Sequence, residues 1–248
     1  MERVDVQDRI CLVTGGARGI GRKIVETLAD AGAARVYAGD LQFEGFDEVT
    51  ASRDNVTGVN LNVTDTENVK KVVADVVEAE GRIDVLVNNA GITRDALLQK
   101  MDDDAWDAVI GVNLKGVFNV TREVAPVMIE TGSGSVINMA SVVALDGNIG
   151  QTNYAATKGG VVSMTKTWAK EFARKGARVR VNAIAPGFIR TPMTEAVPQK
   201  ILDTMVAKTP LGRMGEPEDI ARCALFLASG ASSFITSQII RVDGGLVF

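Results

Sequence analysis

Short apolar runs alternate along the whole chain with longer stretches that place an apolar residue at every third or fourth position. Residues 10–14, Ile-Cys-Leu-Val-Thr, form a continuous run of the kind expected for a strand covered on both faces. Residues 20–31 then set Ile20, Ile24, Leu28 and Ala31 on one helical face. The same reading predicts further strands over 34–38, 58–61, 83–87, 136–139, 179–184 and 239–242. Helices are predicted over 65–80, 104–129, 152–174 and 217–228, with Asp65 as an N-cap and Pro217 in a first turn. From 186 to 215 the pattern breaks around Pro186, Pro192, Pro198 and Pro210, with one helix expected over 193–208.

Strict β/α alternation implies a parallel sheet with helices on both faces. Right-handed crossovers make it a doubly wound, Rossmann-type α/β fold, here with a seven-stranded parallel sheet. No linker or repeat interrupts the pattern, so residues 1–248 read as a single domain. The irregular stretch reads as a substrate lid at about 190–212.

Composition narrows the chemistry. The chain has 248 residues, 46% of them hydrophobic, enough for a sizeable core. A net charge of −4 gives no sign of a nucleic-acid surface. Residues 1–8 lack the apolar centre of a secretory signal, and no run approaches the ~20 apolar residues of a membrane span. Cys11 and Cys223 lie far apart in apolar runs, as core thiols of a reducing cytosol do. These features predict a soluble, cytoplasmic protein. There is no histidine, which excludes Ser-His nucleophiles and imidazole zinc sites, and no metal site is expected. Protons must be handled by tyrosine, lysine or a carboxylate.

Tyr154 and Lys158 are four residues apart and share a helical face, with Ser141 thirteen residues before the tyrosine. A neighbouring ammonium favours phenolate, so the tyrosine pKa is expected below its ordinary value of about 10. Such a phenol donates a proton to a carbonyl oxygen and recovers it in reverse.

The run Thr14-Gly15-Gly16-Ala17-Arg18-Gly19-Ile20-Gly21 joins the first strand to the first helix. Glycines there let backbone approach a pyrophosphate, and the helix N-terminus offers free N–H groups. Asp40 ends the second strand, about 20 residues further on, where an acid accepts from the adenosine ribose. Its charge repels a 2′-phosphate and favours NAD (NADH); Arg18, inside the turn, keeps NADP (NADPH) open.

Together with Asn88-Asn89-Ala90-Gly91, Asn113, Ser141 and Pro186-Gly187, these segments resemble the short-chain dehydrogenase/reductase family over essentially the whole chain. Within it, the runs 87–98, 150–158, 185–189 and 242–245 are most similar to the 3-oxoacyl-(acyl-carrier-protein) reductases of fatty-acid synthesis. Acetoacetyl-CoA reductases and other secondary-alcohol dehydrogenases are the alternative.

The resemblance implies that Tyr154 protonates the carbonyl oxygen as hydride arrives and that Ser141 positions that oxygen. It implies that Lys158 holds the nicotinamide ribose and that Asn113 supports a water linking Lys158 to solvent. Cofactor contacts are implied at Gly15, Arg18, Gly19, Ile20, Gly21, Asp40, Asn62, Val63, Asn89, Ala90, Gly91, Pro186, Gly187, Ile189 and Thr191. Val143, Asn148, Gln151 and Phe188 flank the expected substrate mouth by position.

An acidic acyl-carrier protein would need a basic patch, for which Arg94, Lys100, Arg122, Arg174 and Lys175 are candidates. Glu130-Thr-Gly-Ser-Gly134 stands where such reductases often carry basic residues, so a CoA thioester stays open as substrate. The family implies a homotetramer paired through the helices expected over 104–129 and 152–174. The C-terminal Leu246-Val-Phe is expected to bury itself at a subunit contact.

Overall fold

The structure, a computed structural model, describes residues 4–195 and 197–246. Seven parallel strands form one sheet in the order β3-β2-β1-β4-β5-β6-β7. They are β1 (Ile10–Thr14), β2 (Arg35–Asp40), β3 (Val56–Asn60), β4 (Val85–Asn88), β5 (Ser133–Met139), β6 (Arg178–Pro186) and β7 (Ile239–Val242). The helices are α1 (Gly19–Asp30), α2 (Asp47–Ser52), α3 (Thr66–Glu80), α4 (Asp103–Ile110), α5 (Val117–Glu130), α6 (Val143–Asp146), α7 (Thr152–Glu171), α8 (Pro192–Glu195), α9 (Gln199–Ala207) and α10 (Pro217–Ala228).

Strand period 2 explains the two cores. Cys11 and Val13 point to one face, where Ile24 and Leu28 of α1 meet Ile220 and Leu227 of α10. Ile10 and Leu12 point to the other, among Val69 and Val73 of α3, Val120 and Val124 of α5 and Ala169 of α7. Each such buried aliphatic side chain contributes about 1.5–3 kcal/mol. The expected N-cap forms: Asp65 accepts from the N–H groups of Glu67 and Asn68. Pro217 opens α10, where Glu216 and Asp219 form a reciprocal cap.

The long helix expected over 104–129 runs from Asp103 to Glu130, but its middle turn is wound differently. Residues Gly111–Gly116 form a π-turn between α4 and α5. Its cause is tertiary: the Asn113 amide donates to the Ile92 carbonyl (2.9 Å) and accepts from the Ile92 N–H (2.8 Å). That exchange pulls the backbone out of α register. The helix expected over 152–174 ends at Glu171, and Lys175 takes positive φ in the turn before β6. The single helix expected over 193–208 is two, α8 and α9, because Pro198 sits at the start of α9 and cannot continue a helix. Leu246 needs no subunit contact for burial: it is 2% exposed within its own chain, its carbonyl accepting from Arg241. The last two residues of that expectation, 247 and 248, lie outside the described residues. Among the described residues no helix is long and apolar enough to cross a membrane.

Candidate active site

β1 pairs with β2 on one side and β4 on the other, so the strand order reverses there and opens a crevice at the carboxyl ends. The glycine turn leaves β1 at this point, and Asn89-Ala90-Gly91 leaves β4. Thr14 binds the two loops together, its Oγ1 accepting from the N–H groups of Asn89 and Ala90 at 3.0 Å each. Asn89 completes the lacing by donating to the carbonyls of Thr14 (3.1 Å) and Gly15 (2.9 Å). The approach is too close for larger residues. A Cβ at Gly15, where φ is +62°, would lie 2.9 Å from the Ala90 Cα, and one at Gly21 would collide with the Gly15 carbonyl. No side chain caps the start of α1, which leaves its first-turn N–H groups, past Gly19 and Ile20, free for an anion.

Asp40 stands beside this turn with its carboxylate anchored: one oxygen accepts from Ala17 N–H (3.1 Å), the other from Leu41 N–H (2.8 Å). Arg18 is exposed at the N-cap of α1.

Across the crevice, β5 ends at Met139 and delivers Ser141, while the first turns of α7 carry Tyr154 and Lys158. The Ser141 hydroxyl accepts from the Val143 N–H (3.2 Å) and lies near enough to the Tyr154 phenol to favour its ionisation. The Lys158 Nζ lies 5.5 Å from the tyrosine ring centroid and donates to the Met139 carbonyl at 2.7 Å. Asn113 and Lys158 converge on Gly91, where a Cβ would lie 3.4 Å from the Asn113 Oδ1 and 3.7 Å from the Lys158 Nζ. The four side chains thus meet at one place beside the loops that carry Gly15 and Gly91.

The expected depression of the tyrosine pKa is corrected by burial. Desolvation of the hydroxyl pushes Tyr154 up to about 12, against the neighbouring Ser141 hydroxyl that lowers it, and Asp95 pushes it further up. Burial also lowers Lys158 to about 8. The lysine uses one of its three N–H donors on a backbone carbonyl, and burial rather than its charge dominates the phenol. At neutral pH the phenol is protonated and the amine still charged.

The remaining candidates sort by burial. Val63 is buried, its carbonyl accepting from Asn119 (2.9 Å), and the Asn62 Oδ1 is engaged by the N–H and hydroxyl of Thr64. Pro186 ends β6, Gly187 donates to the Val242 carbonyl, and the Ile189 side chain packs into the core. Thr191 starts the turn into α8. Val143 is buried beside Ser141; Asn148 and Gln151 bond each other, and Gln151 donates to Asp95 at 2.9 Å. Phe188 is half-buried on the opposite lip, its carbonyl accepting from Gly215.

The five basic candidates are not gathered. Arg94 leaves the crevice loop and Lys100 follows it, but Arg174 and Lys175 lie beyond the far end of α7, roughly 30 Å along a helix of 20 residues. Arg122 stacks on Phe118 (5.0 Å) and pairs with Glu123 (3.0 Å). Sequence reasoning missed the lacing by Thr14, the Met139 carbonyl and Asn153. A polar residue closing an apolar strand was the available signal for Thr14; a backbone carbonyl gives none.

The chain matches the family described as Enoyl-(Acyl carrier protein) reductase over residues 15–247. It is 54% identical over 246 residues to 3-oxoacyl-(acyl-carrier-protein) reductase FabG of Thermotoga maritima, covering 98% of this chain and 99% of that protein. Identity to the protein of the same name from Staphylococcus aureus is 46%, over 95% of this chain and 96% of the other. Among solved structures, gox2181 superposes with a TM-score of 0.91 at 36% identity, covering 98% of this chain and 96% of that one. A putative short-chain alcohol dehydrogenase from Sinorhizobium meliloti 1021 gives the same TM-score at 34% identity, over 98% and 97%.

Proposed function

The chain belongs to the short-chain dehydrogenase/reductase family, and from that premise we propose that it reduces 3-oxoacyl-(acyl-carrier-protein) to the 3-hydroxyacyl thioester with NAD(P)H. The observation that carries the reading is the pairing of two hydroxyls, Ser141 and Tyr154, beside the glycine crevice. Two donors directed at one point suit a carbonyl oxygen, which gathers charge as it is reduced, better than a carbon–carbon double bond.

The fit to a dinucleotide is supported by the Gly15 and Gly21 positions, which leave no room for a Cβ, by the uncapped start of α1 and by the anchored Asp40. Bound there, the reduced nicotinamide supplies the hydride. Tyr154 gives its proton to the carbonyl oxygen, and Ser141 fixes that oxygen by a hydrogen bond. Lys158, charged and buried, holds ribose hydroxyls and supports the field at the oxygen. Asn113 holds the Gly91–Ile92 backbone that Lys158 faces. A phenol raised to about 12 is protonated at neutral pH, the form from which it can give its proton to the carbonyl oxygen. The α8–α9 segment serves as the lid over the substrate. The exposed Phe118 and Ile129 of α5 serve a homotetramer contact, and the enzyme works in the cytoplasm, where the free Cys11 and Cys223 stay reduced.

The test compares rates with acetoacetyl-carrier protein and acetoacetyl-CoA, each with NADH and NADPH. Ketone-dependent oxidation of the cofactor is expected, faster with the carrier-protein thioester; no turnover of either ketone rejects the proposal.

Both Asp40 oxygens are fixed beside the turn, so a 2′-phosphate would meet a held negative charge. Like charges at about 4 Å repel by 1–4 kcal/mol depending on screening. NADH is therefore the preferred cofactor. Asp40→Ser should move the NADPH-to-NADH ratio of kcat/KM upward by about tenfold or more, since about 1.4 kcal/mol is a factor of ten. A native protein that already prefers NADPH contradicts this assignment.

A further inference from the structure

Asn153 is wholly buried, 0% exposed, one residue before Tyr154, and no step above uses it. Both its amide N–H donors and its amide oxygen are engaged. Its Nδ2 donates to the carbonyls of Arg94 (2.9 Å) and Ala105 (3.2 Å), and its Oδ1 accepts from the Tyr154 N–H (2.7 Å). The partners lie on three elements: the loop after β4, α4, and α7 itself.

Two features give this contact more than a packing role. First, Tyr154 is the third residue of α7, so its N–H is among those a helix leaves without an internal partner. Gln151, the residue before the helix, makes no side-chain cap. Asn153 supplies the missing acceptor from inside the first turn and so fixes the backbone from which the phenol projects.

Second, Arg94 belongs to the loop that begins at Gly91 in the crevice. Asn113 grips that loop at Ile92. Its far end is tied to the start of α7 by Ala96 N–H to the Gly150 carbonyl (2.9 Å) and Gln151 to Asp95. Asn153 alone among these ties also bonds the Tyr154 backbone.

We propose that Asn153 is a positioning residue that sets the Tyr154 hydroxyl in register with the Gly91 side of the crevice. The proposal rests on Tyr154 being the acid. Charged groups facing the phenol are Asp95 on the loop after β4 and Lys158 on α7, and neither is altered by substituting Asn153.

Asn153→Ala removes all three bonds; Asn153→Ser, the milder variant, keeps a hydroxyl too short to span both carbonyls. Displacing a reacting group by about 1 Å costs on the order of a hundredfold in rate. In both variants kcat should fall by about ten- to a hundredfold, with the cofactor dissociation constant little changed. The pH profile of kcat should also shift.

A spectroscopic signature accompanies the loss. The chain has two tyrosines, so selective 13Cζ labelling gives two lines, assigned by Tyr37→Phe. The Tyr154 line, sensitive to hydrogen bonding at its hydroxyl, should move, while that of Tyr37, bonded to Glu80, should not. A purely structural asparagine would lower the melting temperature and leave kcat per folded enzyme, its pH profile and the Tyr154 line in place. That result overturns the proposal. Inactive Tyr154→Phe beside fully active Asn153 variants rejects this inference alone; active Tyr154→Phe rejects the acid assignment as well.

Discussion

Tyr154→Phe is expected to lower kcat for ketone reduction by about a thousandfold, within the range of a lost general acid. Cofactor affinity should stay close to that of the native protein. The substitution removes one oxygen and keeps the ring, so the 5.5 Å contact with Lys158 and the first turn of α7 persist. Stability should change by about 1 kcal/mol or less, because the loss is one hydroxyl near Ser141 set against relief from burying it. Single-turnover oxidation of NADH by acetoacetyl thioester isolates the chemical step from product release. Ser141→Ala should cost less, since Tyr154 alone still donates. The combination should cost little more than Tyr154→Phe, because the two hydroxyls act on one oxygen. Turnover by Tyr154→Phe within about tenfold of the native rate would remove the phenol from the mechanism.

That such an experiment follows from an unaligned sequence reflects how locally the family's site is written. The crevice is made by two loops that leave adjacent strands, and both are glycine-marked because backbone must approach backbone, as at Gly15 and Ala90. A strand buried on both faces reads as an unbroken apolar run, which is why β1 keeps its expected bounds. The helix α10 is read to the residue because Pro217 is a local signal of a first turn. The misreadings have separate causes, and the first is a contact between distant segments. The π-turn exists because Asn113 meets Ile92, 21 residues away, and nothing within 104–129 announces that pairing. The short helices α2 and α6 went unseen because neither has room for a helical repeat. The split between α8 and α9 has a local cause: Pro198 lies inside the expected helix and stands where α9 starts. Spacing placed Lys158 beside Tyr154 but gave no measure of burial, which is what pushes the two pKa values.

The same burial makes Lys158 costly, and Lys158→Met should expose the cost as a gain in stability with a loss of activity. Lys158 is 3% exposed and its pKa is lowered from 10.5 to about 8 by desolvation. A shift of that size corresponds to about 3 kcal/mol at about 1.4 kcal/mol per unit. The sign follows from proton counting. Between pH 8 and 10.5 the unfolded lysine holds a proton that the folded one has released, so stability rises with pH across that window. Below pH 8 both forms are protonated and the full penalty is carried. Methionine has no charge to desolvate, but it leaves the Met139 carbonyl without the Lys158 donor, which returns about 1–3 kcal/mol. The net gain at pH 7 is then about 1 kcal/mol, or about 2–4 °C in melting temperature for a chain of this length. Catalysis should fall by about a hundredfold or more, because the only buried ammonium in the constellation is gone. Thermal unfolding of both proteins from pH 6 to 10 separates this effect from other titrations. The raised pKa of Cys223 affects both proteins alike, so it cancels in the difference. The advantage of Lys158→Met should be constant up to about pH 8 and shrink above it, as the native lysine loses its proton and with it the penalty. An advantage that grows with pH, or a variant that keeps native turnover, would contradict a lysine held charged in a buried site for the sake of the reaction.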